Sequence, residues 1–560
     1  MDADGGGESP AFNGRSVEEY LSYARELIPK ALEKAKEMSD FALRWKMIVS
    51  KLEKIPSSLS DFSTHPCFSK NALCKEQLQT ICNTLNEVIL LAIRCSKQKY
   101  EGKLRMQSDL DALSGKLDLN LRDCELLIKT GLLGDVSVPS PSPGTLEIQM
   151  DSDVRGRCRE LLARLHIGHL DSKHVALDGL LEAMKFDEKN VLPVIRRSDI
   201  SALLQLLITA TYPRIREKAA TIICSLSESG SFDDWLVSEG VLPPLIRLLE
   251  SGSVVGKEKA VASLERLSIS PQTARSIVGH GGVRPLIESV PQSAAVSTLR
   301  NLSAVAEIRP TLAEEGIVPV VIGLLSSPGI SRESKDGAAE CLQNLTSSSE
   351  PLKRLAIREG GIRALIGSLD FDGPSPPRDS AVVALRNLVG SVTTEVIVSS
   401  GLVSRLVHVM KCGSVKAQHA AASALCEISG SGEMKRLVGE SGCIPILVSM
   451  LEAKGNSTRE VAAQAMARLM AVPSNCREVK RMAKSVPNLV SLLDPNVENT
   501  AKKYAVQCLG MLSSSRRCRK MMISHGGIGY LRKLVEIGVP GADKLVDRLE
   551  RKRFRSFFYR

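Results

Sequence analysis

In Asp379-Ser-Ala-Val-Val-Ala-Leu-Arg-Asn-Leu-Val389, small and apolar residues recur at a helical rhythm. Ala381, Ala384, Leu385 and Leu388 fall at i, i+3, i+4 and i+7, so they share one helix face. A face that apolar has to be covered. The same template, Ala at i with Leu, Ile or Met at i+4 and i+7, lies on Ala219, Ala260, Ala295, Ala338, Ala421, Ala462 and Ala505. The steps between these alanines are 41, 35, 43, 43, 40, 41 and 43 residues. A period of ~42 with one shortened unit is that of a helical solenoid.

A second landmark precedes each such helix. Gly240-Val-Leu-Pro243, Gly282-Val-Arg-Pro285, Gly316-Ile-Val-Pro319, Gly361-Ile-Arg-Ala364, Gly401-Leu-Val-Ser404, Gly442-Cys-Ile-Pro445 and Gly527-Ile-Gly-Tyr530 each introduce an apolar helix such as Leu245-Ile-Arg-Leu-Leu249. Gly ends the previous short helix, where a positive φ is wanted, and Pro opens the next, where its missing N–H costs nothing. Each unit is therefore three helices, none of which hides its apolar side without the neighbouring units.

A short helix ending in Gly, a second reading PxLIxLL and a longer third reading AxxALxNLS resemble armadillo repeats, over roughly residues 172 to 540. The resemblance implies an all-α fold, an armadillo-repeat α-solenoid wound as a right-handed superhelix.

Composition agrees with a solenoid and excludes several functions. The 560 residues are 43% hydrophobic and 24% charged, but only 3% aromatic with two Trp. The core is thus Leu, Ile, Val and Ala, which argues against base-stacking platforms and nucleic-acid partners. The formal charge is +11, and from Arg548 onward six basic residues less Glu550 supply +5 of it. Fourteen Cys are scattered without a CxxC pair, as expected of reduced core thiols. With no N-terminal h-region and no run of eighteen apolar residues, the expectation is a cytoplasmic or nuclear protein.

Taken in order, residues 1–14 are Gly-rich and polar and read as a disordered leader. Ser16-Val-Glu-Glu19 is a capping box that starts the ordered chain. Helical patterns cover Ser16 to Met38, with Pro29 expected to kink or split the run, then Phe41 to Ser60, Asn71 to Gln98 and Leu104 to Thr130. These predict a four-helix bundle over 15–133. The run Arg94-Cys-Ser-Lys-Gln-Lys-Tyr100, with the helix bearing Leu110, Leu113, Leu117 and Leu121, resembles the N-terminal helical domain of plant U-box and armadillo proteins. In those ligases a U-box follows; here a Pro/Ser linker, 134–147, leads almost directly into the next helix and leaves no room for one. The solenoid is expected over 148–542, opening on a degenerate capping copy at Ser172 to Lys189. Residues 543–560 read as a basic tail with interleaved aromatics, either a solvated helix end that closes the solenoid, an import signal, or a contact with anionic lipid.

The sequence presents no catalytic set. Gly252-Ser-Val-Val-Gly-Lys-Glu258 has its glycines too close for a phosphate loop, Glu258 where Ser or Thr should hold magnesium, and no strand before it. His166, His169 and His174 with Cys158 lack a fourth metal ligand at suitable spacing. Cys426 with His419, seven residues apart on one helix, borders the core stripe and does not read as a nucleophile and its base. No catalytic residue, metal or cofactor is expected.

What remains is a surface. The residue at i+6 from each template Ala lies off the buried stripe, and successive repeats place there Ser225, Arg266, Asn301, Asn344, Asn387, Glu427, Arg468 and Met511. Third helices line the concave face of an armadillo superhelix, and the family uses this Asn ladder to hold the backbone of an extended peptide. A carboxamide suits that task, because it offers donor and acceptor together. Asn bonding to the neighbouring repeat is the alternative use, and both can hold at once. The partner-binding residues expected are Asn301, Asn344, Asn387, Arg266, Glu427 and Arg468, with Arg300 and Arg386 as further flanking charges. Importin-alpha places Trp four residues before the ladder Asn; here those positions are Ser297, Glu340 and Val383, which argues against an import-signal receptor. Several Arg favour a neutral or acidic peptide. The reading is a non-enzymatic protein-interaction scaffold in intracellular signalling or regulation; the alternative is a substrate-recognition component of a ubiquitin ligase that lacks its own U-box.

Overall fold

The computed structural model describes residues 16–64, 68–70, 72–96, 103–129, 146–167, 170–210, 212–290, 292–369, 379–495 and 500–557. Helices account for nearly all regular structure in them, and no strand occurs among the described residues. The expected leader and all of the expected linker before Thr145 lie outside these residues. Contacts divide the chain into two compact units, Met1–Ser263 and Leu264–Arg560.

The first unit opens with α1 (Val17–Lys36), capped by Ser16, whose Oγ accepts from the Glu19 N–H while the Glu19 side chain accepts from the Ser16 N–H. Pro29 does not split this helix. Ala24, Leu27, Ile28 and Ala31 on either side of it are buried, and α1 packs along α4 (Ala72–Ser96), so packing outweighs the one hydrogen bond that Pro removes. Among the described residues the bundle has five α-helices where four were expected. The run from Phe41 to Ser60 breaks into α2 (Ala42–Leu52) and α3 (Ile55–Ser63), because Pro56 fits the first turn of a helix and not its interior. With α5 (Lys103–Lys129) these enclose a core of Tyr20, Trp45, Ile48, Phe62, Leu78, Leu85, Leu110 and Leu117.

Ala163 and Ile167, at the end of the following helix Leu146–His166, belong to that same core. Arg164 of this helix meets Glu76 of α4 at 2.9 Å. The expected boundary between bundle and solenoid is therefore not a break in packing. The expected capping copy lies within helix Leu170–Val191.

The second unit is a row of helix triplets. Its third helices, Ser293–Ala304, Arg332–Leu345, Asp379–Leu388, Val415–Ile428, Asn456–Leu469 and Lys502–Leu512, pack each on the next. All eight template alanines of the chain are fully buried, at 0% exposure, since a larger side chain would hold neighbouring helices apart. The shortened repeat has a second helix of six residues, Val283–Glu288, where the preceding repeat has ten, Leu242–Ser251.

The turn between first and second helices differs from expectation by one residue wherever two glycines adjoin. The positive φ falls on Gly281, Gly360 and Gly526, not on Gly282, Gly361 and Gly527. The second glycine is required for a different reason: a Cβ on Gly361 would stand 2.7 Å from the Ala356 carbonyl oxygen.

The basic C-terminal segment is the third helix of the last triplet. Helix Ala542–Phe557 follows Arg516–Ser524 and Gly527–Glu536, and buries Ala542, Leu545 and Leu549. Ala542 is thus a ninth template alanine. Val546, where the template asks for Leu, Ile or Met, conceals it in the sequence.

Candidate functional site

Most side chains at i+6 along the third helices of the second unit bond back to the preceding repeat. Asn301 Nδ2 donates to the Glu265 carbonyl at 3.2 Å and to Ser268 Oγ at 2.9 Å. Asn387 Nδ2 repeats both bonds one rung further on, to the Gln343 carbonyl at 3.1 Å and Thr346 Oγ1 at 3.4 Å. Asn344 Nδ2 donates to Ser303 Oγ at 3.0 Å. Each acceptor belongs to the preceding third helix, the carbonyl at i+5 and the hydroxyl at i+8 of that repeat. A third-helix C terminus leaves carbonyls without helical donors, and the next repeat's amide supplies one.

The hydroxyls at i+8 were missed in the sequence reading, although they were visible there. Ser227, Ser268, Ser303, Thr346, Ser429 and Ser513 recur at that position, and all are buried. Each donates to a carbonyl of its own last turn, as Ser268 does to Glu265 and Thr346 to Leu342, which leaves oxygen lone pairs to accept from the next rung.

One expected charged residue, Arg468, joins this system, and so does Arg548, which was not expected there. Arg468 Nη1 donates to the Cys426 carbonyl at 2.6 Å, taking the bond an Asn makes elsewhere. Arg548, at i+6 from Ala542, donates through Nη1 to the Gly510 carbonyl and to Ser513 Oγ, both at 3.4 Å. The ladder thus runs one rung beyond Met511. Arg266 and Glu427 are exposed side chains.

Arg300 and Arg386 hold their neighbours' carboxamides. Arg300 Nη2 donates to Asn301 Oδ1 at 3.2 Å and Arg386 Nη2 to Asn387 Oδ1 at 3.0 Å, which fixes the amide orientation. Both amide hydrogens of Asn301 and Asn387 are committed to the preceding repeat. Asn344 differs: among the described residues Ser303 Oγ is the one hydrogen-bond partner of its side chain, so one amide N–H and Oδ1 stay open for an outside chain.

The groups weighed for other chemistry have protein partners or burial that account for them. His166 Nε2 lies 2.7 Å from Asp199 Oδ1, and His174 meets Asp178 and Lys218; His169 is outside the described residues. Burial pushes the Cys426 thiol up, with Arg468 opposing, and burial together with Arg386 holds His419 below its usual value. That keeps the thiol protonated and the imidazole neutral at physiological pH. Burial also pushes Cys341 up to about 12.

The stacked helix triplets place the chain among the armadillo-repeat solenoids. Residues 392–430 and 433–471 match the Armadillo/beta-catenin-like repeat family, and residues 22–132 match a family described as a domain of unknown function, DUF7032. Over 312 residues the chain is 25% identical to U-box domain-containing protein 44 of Arabidopsis thaliana, covering 52% of this chain and 38% of that one. It is 27% identical to U-box domain-containing protein 8 of the same plant, covering 39% of this chain and 56% of the other. It is 29% identical to Vacuolar protein 8 of Schizosaccharomyces pombe, over 34% and 36% of the two chains. In each case the chain spans less than two thirds of the relative's length. An engineered protein of known crystal structure superposes with a TM-score of 0.59 at 23% identity, covering 70% of this chain and 98% of its own, which shows the fold. Armadillo repeats form protein-interaction scaffolds, and the fold is typically non-catalytic. No helix among the described residues is long and apolar enough to cross a membrane.

Proposed function

We propose that this protein is a non-enzymatic scaffold that holds an extended peptide along the third-helix face of its second unit, in intracellular signalling or regulation in the cytoplasm, the nucleus or both. The observation that carries the reading is the ladder itself. Rungs fixed by inter-repeat bonds cost little further ordering on binding, and a pre-ordered surface binds more tightly for the same contacts. Within it Asn344 offers a donor and an acceptor together, the pair a peptide backbone requires. Arg266, Glu427 and the Arg468 rung would set side-chain preference.

A peptide-display selection against the full chain tests the proposal. Peptides enriched by the native protein should bind Asn344→Ala several-fold more weakly, at an unchanged melting temperature. Equal affinity would remove the ladder from the binding face.

The similarity to U-box relatives supports a second reading, substrate recognition for a separate ubiquitin ligase. Incubation with ubiquitin, activating enzyme and conjugating enzyme should leave the purified chain unmodified on the scaffold reading. Self-ubiquitination would favour a ligase.

A further inference from the structure

Charge along this chain is distributed unevenly. Residues 501–560 hold fifteen Lys and Arg against four Asp and Glu, which is the whole formal charge of +11, so the preceding 500 residues are neutral in sum. Part of this charge borders a cavity of about 510 Å³ between the last two third helices, Lys502–Leu512 and Ala542–Phe557. Lys503, Tyr504 and Gln507 line it from one helix, and Lys544 and Arg548 from the other, over a floor that includes Leu545. Among the described residues no Asp or Glu lines it. Glu550, on the same terminal helix, is bound to Arg532 at 2.6 Å.

We propose that this cavity takes an acidic segment of a protein partner, with carboxylates on Lys503, Lys544 and Arg548 and one apolar or aromatic side chain against Tyr504 and Leu545. The proposal rests on the groove reading and names the partner's chemistry at one end of it. Arg548 is itself a rung of the ladder, since it bonds the Gly510 carbonyl and Ser513 Oγ as Asn301 bonds Glu265 and Ser268. A chain lying along the rungs therefore runs into the cavity. One Arg548 nitrogen makes both of those bonds, which leaves the rest of the fork for a carboxylate. The Lys503 ammonium stands 4.7 Å from the Tyr504 ring centre, so cation and apolar surface are presented side by side. A cavity of this volume holds several side chains, more than a lone ion needs, and the one ring among its described lining residues is too little for a base-stacking platform.

The test uses the full chain and a short fluorescein-labelled peptide rich in Asp and Glu around a central Phe, beside the same peptide with Asn and Gln in place of the acids. The acidic peptide should bind, the amide version should bind at least about ten-fold more weakly, and Lys503→Glu with Lys544→Glu should weaken the acidic peptide by about ten-fold. Both lysines are exposed, so melting should be unchanged. Equal binding by the charge-reversed variant, or equal binding of the two peptides, overturns the proposal. Asn344→Ala separates it from the groove reading. If Asn344→Ala weakens the acidic peptide while charge reversal does not, the cavity fails and the groove stands; if neither matters, both fail. Capture of phosphatidylserine vesicles or oligothymidylate, lost on charge reversal and without peptide binding, also overturns it, in favour of a lipid or nucleic-acid partner.

Discussion

The Asn387 side-chain amide donates to the main-chain carbonyl of Gln343 at 3.1 Å, across the interface between two repeats and 44 residues back along the chain. This bond gives a residue expected to bind a partner a structural role as well. Asn387→Ala removes two inter-repeat bonds, to the Gln343 carbonyl and to Thr346 Oγ1, and frees Arg386 from Oδ1, at a cost of about 1–3 kcal/mol by thermal or urea unfolding. Asn344→Ala removes one bond to a hydroxyl that also has a partner in its own helix, so its cost should stay under about 1 kcal/mol. Equal costs for the two would show that the rungs are interchangeable.

Leu385, fully buried at 0% exposure, sits in the middle of the third-helix row. Leu385→Ala should cost about 2–5 kcal/mol. In a solenoid each repeat is held by its neighbours, so hydrogen exchange should rise in the flanking helices Arg332–Leu345 and Val415–Ile428 as well. Exchange confined to Asp379–Leu388 would contradict that coupling.

Much of this architecture was legible because a repeat prints each packing rule many times. Ala381 and its counterparts were found because burial permits almost nothing larger there, and the same constraint acts on every copy. Ala542 escaped because one tolerant substitution, Val546, broke the template while leaving the packing intact. The ladder asparagines were legible as a row, but not their use. Whether an amide faces a partner or the preceding repeat depends on a hydroxyl some 33 to 41 residues earlier, and each member of that pair looks ordinary alone. Reading i+6 and i+8 together would have paired them.

Three glycines of one repeat should respond differently to Ala. Gly360 has φ +85°, where an L side chain costs roughly 1–2 kcal/mol. Gly361→Ala places a Cβ 2.7 Å from a backbone oxygen, which forces the turn to shift and should cost at least as much. Gly367, near the end of the same short second helix, has nothing within 4 Å of a Cβ, so Gly367→Ala should be neutral or stabilise by up to about 1 kcal/mol. Melting of the three single variants orders them; a stabilising Gly361→Ala would contradict the contact.

His419, on helix Val415–Ile428, is held below its ordinary value of 6.5 first by burial and then by repulsion from Arg386, with Glu460 pulling the other way. A proton therefore binds the unfolded chain before the folded one. As pH falls through 6.5 the unfolded state takes up more protons, so the stabilisation present above that value is progressively lost until the folded imidazole also titrates. His419→Gln should flatten the pH dependence of stability below 6.5. Arg386→Gln should move the His419 ring resonance titration upward only in part, because burial, the larger cause, remains. A ring that titrates at or above 6.5 in the native protein would reverse the sign and remove this contribution to acid sensitivity.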